Sequence, residues 1–137
     1  MYRRYTLQKA IDRWIESYTY QTPEGRIIDL VIAIEALCLP DIGESTFKFG
    51  VRAAWYLGED RKKLLAEFKE LYKCRSAVVH GGELKKSVTI EEKPLPIFDF
   101  ITQSQNRCRE SINKIMQQCL EEEEFPKNDY WDTLVLG

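Results

Sequence analysis

Two side chains with acid–base and anion-binding chemistry stand close together in the stretch YKCRSAVVHGG, Tyr72 to Gly82: Arg75, and His80, the one histidine of this 137-residue chain. A guanidinium presents a planar fork of donors that fits phosphate or carboxylate oxygens, and an imidazole ordinarily titrates near neutrality and can move protons. Such a pair can hold an anion and move a proton. Arg75 also has an unusual place in the pattern. Leu64, Phe68, Leu71, Arg75 and Val78 recur at spacings of four, three, four and three, so Arg75 occupies a position on the apolar stripe of a helix and points inward or at a partner. A charge placed there is unfavourable unless a carboxylate and other acceptors satisfy it. Glu35, set among Val31, Ile34, Cys38 and Leu39, is a candidate counter-charge, and Arg52, one turn from Trp55, is a third charged group that can meet the other two near the core.

The same residues admit a plainer reading. Glu35 and Arg52 suit a structural ion-pair network better than catalysis. On an ideal helix five residues turn the side-chain direction by about 140° and advance about 7.5 Å, so a straight helix does not aim Arg75 and His80 at one small group. Three things would: the length of the arginine, a distortion at Gly81, or a two-fold partner that supplies the other half of a site. Taken alone, a histidine just before two glycines is first of all a helix-end residue favoured by the helix dipole.

The elements that must position these groups are helical. Leu7, Ile11, Trp14, Ile15 and Tyr18 predict a first amphipathic helix over roughly Tyr5 to Tyr18, ended by QTPEG. PEGRIIDLVIAIEALCLP predicts a second, beginning at Pro23 or after Gly25 and stopping before Pro40; being apolar all round, it is the central one. A third opens at Glu44 or Ser45 and ends at Gly58, and Asp60 caps a fourth that runs to His80. Residues 81 to 96 read as a charged, proline-rich loop in which SVTIEE has the alternation of a short strand. A fifth helix, about Phe98 to Glu121, carries Ile101, Gln105, Cys108, Ile112, Ile115 and Cys119 on one stripe, and Tyr130, Trp131, Leu134 and Leu136 are expected to dock back on the bundle. The expectation is an all-α, up-and-down bundle of about five helices with a short docked C-terminal tail, residues 1 to 137 forming one domain, whether whole or a piece of a longer protein.

Composition narrows the partners. A net charge of -2 gives no overall pull on nucleic acid or anionic membrane, so a polyanion would need a local patch. Lys62, Lys69 and Lys73 share a helical face turned away from Arg75 and read as solvated surface; Lys85 and Lys86 stand nearer a cleft mouth, offset by Glu83, Glu91 and Glu92. Cys38, Cys74, Cys108 and Cys119 show no C-x-x-C spacing, and one histidine completes no usual zinc set with them, so no metal and no cofactor is expected and the thiols read as reduced. The longest apolar run, Ile27 to Leu39, is interrupted by Asp29 and Glu35 and is too short to span a bilayer; a cytoplasmic protein without membrane contact is the expectation.

R-S-A-V-V-H is an instance of the R-x(4-6)-H motif of HEPN domains, and its surroundings resemble the Apea-like branch of that superfamily. GRIIDLVIAIEAL is similar to that branch's helix ending in E-A-L, FGVRAAWYLG to its R-A helix, and LYKCRSAVVHGG to its Y-x-x-R-S-x-x-V-H-G signature, in the same order. The resemblance covers roughly Ile27 to the C-terminus. It implies a helical bundle that dimerises through the motif helices, and a metal-independent endoribonuclease in which His80 is the general acid or base and Arg75 holds the scissile phosphate, with Tyr72, Ser76, Glu35 and Arg52 in support. Active members commonly carry Asn, Asp or His after the arginine, where this chain has Ser76. Gly82 stands where some toxin members have a tyrosine for nucleotidylation. The alternatives are a non-catalytic dimerisation or RNA- or nucleotide-binding module for a larger defence or signalling protein, with further domains or genomic neighbours as partners, and a helical adaptor using Tyr130 and Trp131.

Overall fold

The computed structural model describes residues 2–19, 22–38, 46–58 and 60–122, and within them five helices and one β-hairpin follow in the order α1 (Tyr2–Glu16), α2 (Pro23–Cys38), α3 (Thr46–Leu57), α4 (Arg61–Val79), β1 (Ser87–Ile90), β2 (Lys93–Pro96) and α5 (Ile97–Glu122). The helix ends have local causes. Thr22 caps α2, its hydroxyl accepting from the Gly25 N–H at 3.3 Å, and Pro23 takes the first helical position, where its missing N–H costs nothing. Asp60 caps α4 in the same way, its carboxylate accepting from the Lys63 N–H at 3.3 Å.

α2 is the central element and packs against all four other helices. Ile27, Leu30, Ile34 and Leu37 are fully buried along it. Phe49 and Tyr56 of α3, Phe68 and Leu71 of α4, and Phe100, Ile101 and Ile115 of α5 close around them. Helices of this length are marginal alone in water, and tight packing of this kind is what stabilises them. Cys38, Cys74 and Cys108 belong to the same core, where burial pushes the Cys38 thiol up to about 12 and the Cys74 thiol up to about 11, far from thiolate chemistry. Tyr130, Trp131, Leu134 and Leu136, expected to dock on the bundle, lie outside the described residues.

The hairpin is the main departure from the expected all-α bundle. β1 and β2 pair antiparallel, Ser87 opposite Pro96 and Ile90 opposite Lys93, with Val88 and Ile90 turned into the core and Ser87 and Thr89 outward. β2 reads KPLP, and its two prolines have no N–H to offer a further neighbour, which suits an edge strand. Glu91 and Glu92 make the turn, both left-handed at φ 49° and 68°. A two-residue hairpin needs that backbone, which Asn-Gly adopts with ease; a side chain held there costs about 1 kcal/mol or more per residue.

Candidate functional site

α4 carries the pair from which the sequence argument starts, and the helix presents its two members differently. Arg75 lies on the inner flank. Its guanidinium carbon sits 4.7 Å from the centre of the Tyr72 ring, one turn back, and that ring in turn packs on Phe49 of α3 at 5.2 Å. Across the groove the Arg75 Nη2 lies 3.8 Å from Glu35 Oε1 of α2. The structure thus brings Glu35 to Arg75, but loosely: both side chains keep a quarter of their surface exposed, and the buried Arg75 Nε has no hydrogen-bond partner among the described residues. The expected deeply buried network is, for this pair, a half-open one.

Arg52 is fully buried and has a definite structural task. Its Nη1 donates to the Cys38 carbonyl at 3.0 Å, at the C-terminal end of α2, where unpaired carbonyls and the helix dipole favour a cation. Cys38 is one turn along α2 from Glu35, so Arg52 and Arg75 approach the same end of that helix.

His80 stands at the exposed C-cap of α4. Its backbone N–H donates to the Ser76 carbonyl at 3.0 Å. Gly81 then turns left-handed (φ 81°), its N–H reaching the Val78 carbonyl at 3.2 Å and the Gly82 N–H the Ala77 carbonyl at 2.7 Å. This is the paired bonding of a Schellman stop, and it explains both glycines. Gly81 supplies the left-handed backbone, while a Cβ on Gly82 would come within 3.0 Å of the Ala77 carbonyl oxygen. Among the described residues the His80 imidazole has no hydrogen-bond partner. Val79 beside it leaves 54% of its surface exposed, an unusual state for a β-branched apolar side chain at a helix end.

Two acid–arginine pairs escape the sequence argument. Glu67, only 2% exposed, accepts from Arg107 of α5 through both oxygens, Nε to Oε2 at 3.0 Å and Nη2 to Oε1 at 3.3 Å. Burial opposes the Arg107 charge, yet the hydrogen bonds and charges of Glu67 and, less strongly, Glu110 together more than offset it and raise the arginine's pKa. The signal was present, because Glu67 falls three after Leu64 and four before Leu71, on the stripe that also bears Arg75. Asp29 of α2, 1% exposed, accepts from Arg13 of α1 at 3.1 Å through Oδ1 while its buried Oδ2 has no partner. Burial raises its pKa above the usual carboxylate value, the Arg13 hydrogen bond opposing. No three His, Cys, Asp or Glu side chains are grouped as a metal site requires among the described residues, and none of these helices is long and apolar enough to cross a membrane.

No family model, curated protein or solved structure matches this chain.

Proposed function

We propose that this chain is a HEPN-like bundle that cleaves RNA without a metal, at a cleft shared by two copies. The observation that carries the reading is the state of Arg75: it is oriented by the Tyr72 ring and by Glu35, yet only loosely neutralised and still a quarter exposed. An arginine kept for structure alone is better served by a close bidentate partner; one kept for an anion needs a place that fixes its direction without filling its donors.

In the reaction the Arg75 fork holds the non-bridging oxygens of the scissile phosphate and stabilises the charge that builds on them. The 2′-oxygen attacks phosphorus, the bond to the 5′-oxygen breaks, and the products are a 2′,3′-cyclic phosphate and a free 5′-hydroxyl. One proton must leave the 2′-hydroxyl and one must reach the departing 5′-oxygen. Each chain has a single imidazole, so two copies of His80, one as base and one as acid, supply both transfers from a two-fold cleft. The exposed Val79 next to His80 fits a face that a second copy covers.

A second reading has its own observation. The Schellman stop accounts for the His-Gly-Gly run without any chemistry, and among the described residues the imidazole has no hydrogen-bond partner of the kind that usually fixes a catalytic tautomer. On that reading the chain is a dimerisation or RNA-binding module. One experiment separates the two. Purified protein incubated with structured and single-stranded RNAs in EDTA is expected to leave 2′,3′-cyclic phosphate ends. His80→Ala, at an exposed cap and therefore still folded, should lower the rate about 10²- to 10⁴-fold. Cleavage by His80→Ala at the wild-type rate, or none by wild type, selects the binding module.

A further inference from the structure

The hairpin presents two outer strand edges, and the chain treats them differently. The Ile97 N–H donates to the Lys86 carbonyl at 2.8 Å, which continues the register of Val88 opposite Leu95 and Ile90 opposite Lys93. In an antiparallel pair every second residue turns its N–H and C=O to the partner strand, and the residues between turn theirs away. Val88 and Ile90 therefore direct their backbone groups to β2, while Ser87 and Thr89 direct theirs to the opposite side. On β2 the corresponding outward positions are held by Pro94 and Pro96, which have no N–H. That edge offers carbonyls alone and is closed to an added strand. On β1 the outward N–H and C=O groups of Ser87 and Thr89 are complete, and among the described residues nothing bonds to them. Both residues are exposed, as unpaired backbone groups require, while Val88 and Ile90 face the core.

We infer that the β1 edge pairs with the same edge of a second copy of this chain, joining two hairpins into one continuous sheet. The stretch KKSVTIE, Lys85 to Glu91, is complementary to itself when run antiparallel about Val88. A two-fold axis there sets Ser87 opposite the partner's Thr89, and the two exchange both backbone hydrogen bonds, with their hydroxyls side by side on the outer face. Val88 stands opposite the partner's Val88 on the core face. One step further out, Lys85 meets the partner's Glu91 at each end of the pairing. Lys85 and Glu91 are exposed and have no ion pair among the described residues, so each brings a charge of the sign that the other needs. Moving the axis to Ser87 or Thr89 keeps outward backbone groups in register but loses that match. An unrelated extended peptide would use the backbone groups alone; the order of hydroxyls and charges selects this chain as its own partner. The edge holds no residue of the proposed cleavage site and stands independently of it.

Amide hydrogen exchange, read residue by residue on the full chain from micromolar to millimolar concentration, tests the pairing. The Ser87 and Thr89 amides are expected to slow by about 10-fold as the concentration rises, while the Val88 and Ile90 amides, already bonded to β2, change little. Thr89→Pro repeats on β1 the device present on β2: it removes an outward donor and leaves the β1–β2 ladder whole. In that variant the Ser87 amide should lose its dependence on concentration. Lys85→Glu and Glu91→Lys should each weaken self-association by about 10-fold, since like charges then face each other at both ends. Mixed in equal amounts, the two variants should associate as tightly as wild type, because each charge again meets its opposite. Exchange at Ser87 and Thr89 that ignores concentration overturns the inference, as does a mixture no tighter than its components. Should Thr89→Pro unfold the hairpin, the charge-exchanged pair decides alone. His80→Ala should leave the pairing unchanged, so a failed cleavage assay and a failed exchange experiment report on different faces.

Discussion

Two arginine–glutamate pairs that join different helices are built for different ends. Arg107 and Glu67 meet through two hydrogen bonds of 3.0 and 3.3 Å, with the carboxylate sealed from water. Arg75 and Glu35 approach no closer than 3.8 Å at one pair of atoms, in a groove that leaves both a quarter exposed. In the sealed, bidentate pair both carboxylate oxygens are taken, and removing either partner leaves a charge without its main counter-charge at a largely closed contact. The open pair gains little from its attraction, because water and salt screen it, and leaves the arginine able to exchange one anion for another. Contact between opposite charges therefore says little about role; the number of satisfied donors and the degree of closure say more. Asp29 and Arg13 fall between, with one carboxylate oxygen bonded and the other buried without a partner.

The largest effect expected from that contrast is at Glu67. Glu67→Ala removes the bidentate partner of Arg107 at the α4–α5 contact, leaving only the partly exposed Glu110 at 3.4 Å, and should cost about 3 kcal/mol, or about 10 °C in Tm, by calorimetry. A loss no greater than that of an exposed glutamate would show that the sealed geometry carries no weight and would remove one side of the comparison.

Much of this arrangement is legible in the sequence, and the exceptions have physical causes. Asp60 and Gly81 mark both ends of α4 because one supplies a cap oxygen and the other a left-handed backbone. Arg75 stands out because it interrupts an apolar stripe. Glu67 interrupts the same stripe but is masked by its neighbour Phe68, and nothing in spacing along one helix can name a partner forty residues away. Asp29 breaks an apolar run in plain view; that it faces Arg13 depends on how α1 lies on α2. The second strand was hidden for a different reason. KPLP has neither alternation nor a full set of donors, and Glu91-Glu92 carries no trace of the Asn-Gly signal that its turn normally leaves. Which edge of the hairpin stays open is accordingly invisible until the two strands are set in register.

Next in size is a pH effect at Asp29. Its folded pKa is raised above 3.8, the ordinary carboxyl value, because burial outweighs the bond from Arg13. Between 3.8 and the raised value the folded state holds more protons at this position than the unfolded state. Stability contributed here is therefore highest at low pH and declines as pH rises through that window. Asp29→Asn cannot ionise and lacks that decline. By thermal melts the variant should gain on the wild type by a few degrees between pH 4 and pH 7, with the direction reversed if the Arg13 bond in fact dominates. A reversed slope would move Asp29 to the side of the sealed pair.

The smallest effect on stability is expected at Glu35, and it bears most directly on function. Glu35→Gln keeps the shape of the side chain and removes its charge from an open, 3.8 Å contact, so the loss should be about 0.5 kcal/mol. Without the competing carboxylate the Arg75 guanidinium should take a phosphate oxygen more readily. Added inorganic phosphate should then raise the Tm of Glu35→Gln more than that of wild type, and Arg75→Ala in the same background should abolish the extra rise. The readout distinguishes an arginine that waits for an anion from one that is already satisfied. Were Glu35→Gln to lose as much stability as Glu67→Ala, with no added response to phosphate, the two pairs would be of one kind. Arg75 would then be a structural residue, and the cleavage reading would lose the observation it rests on.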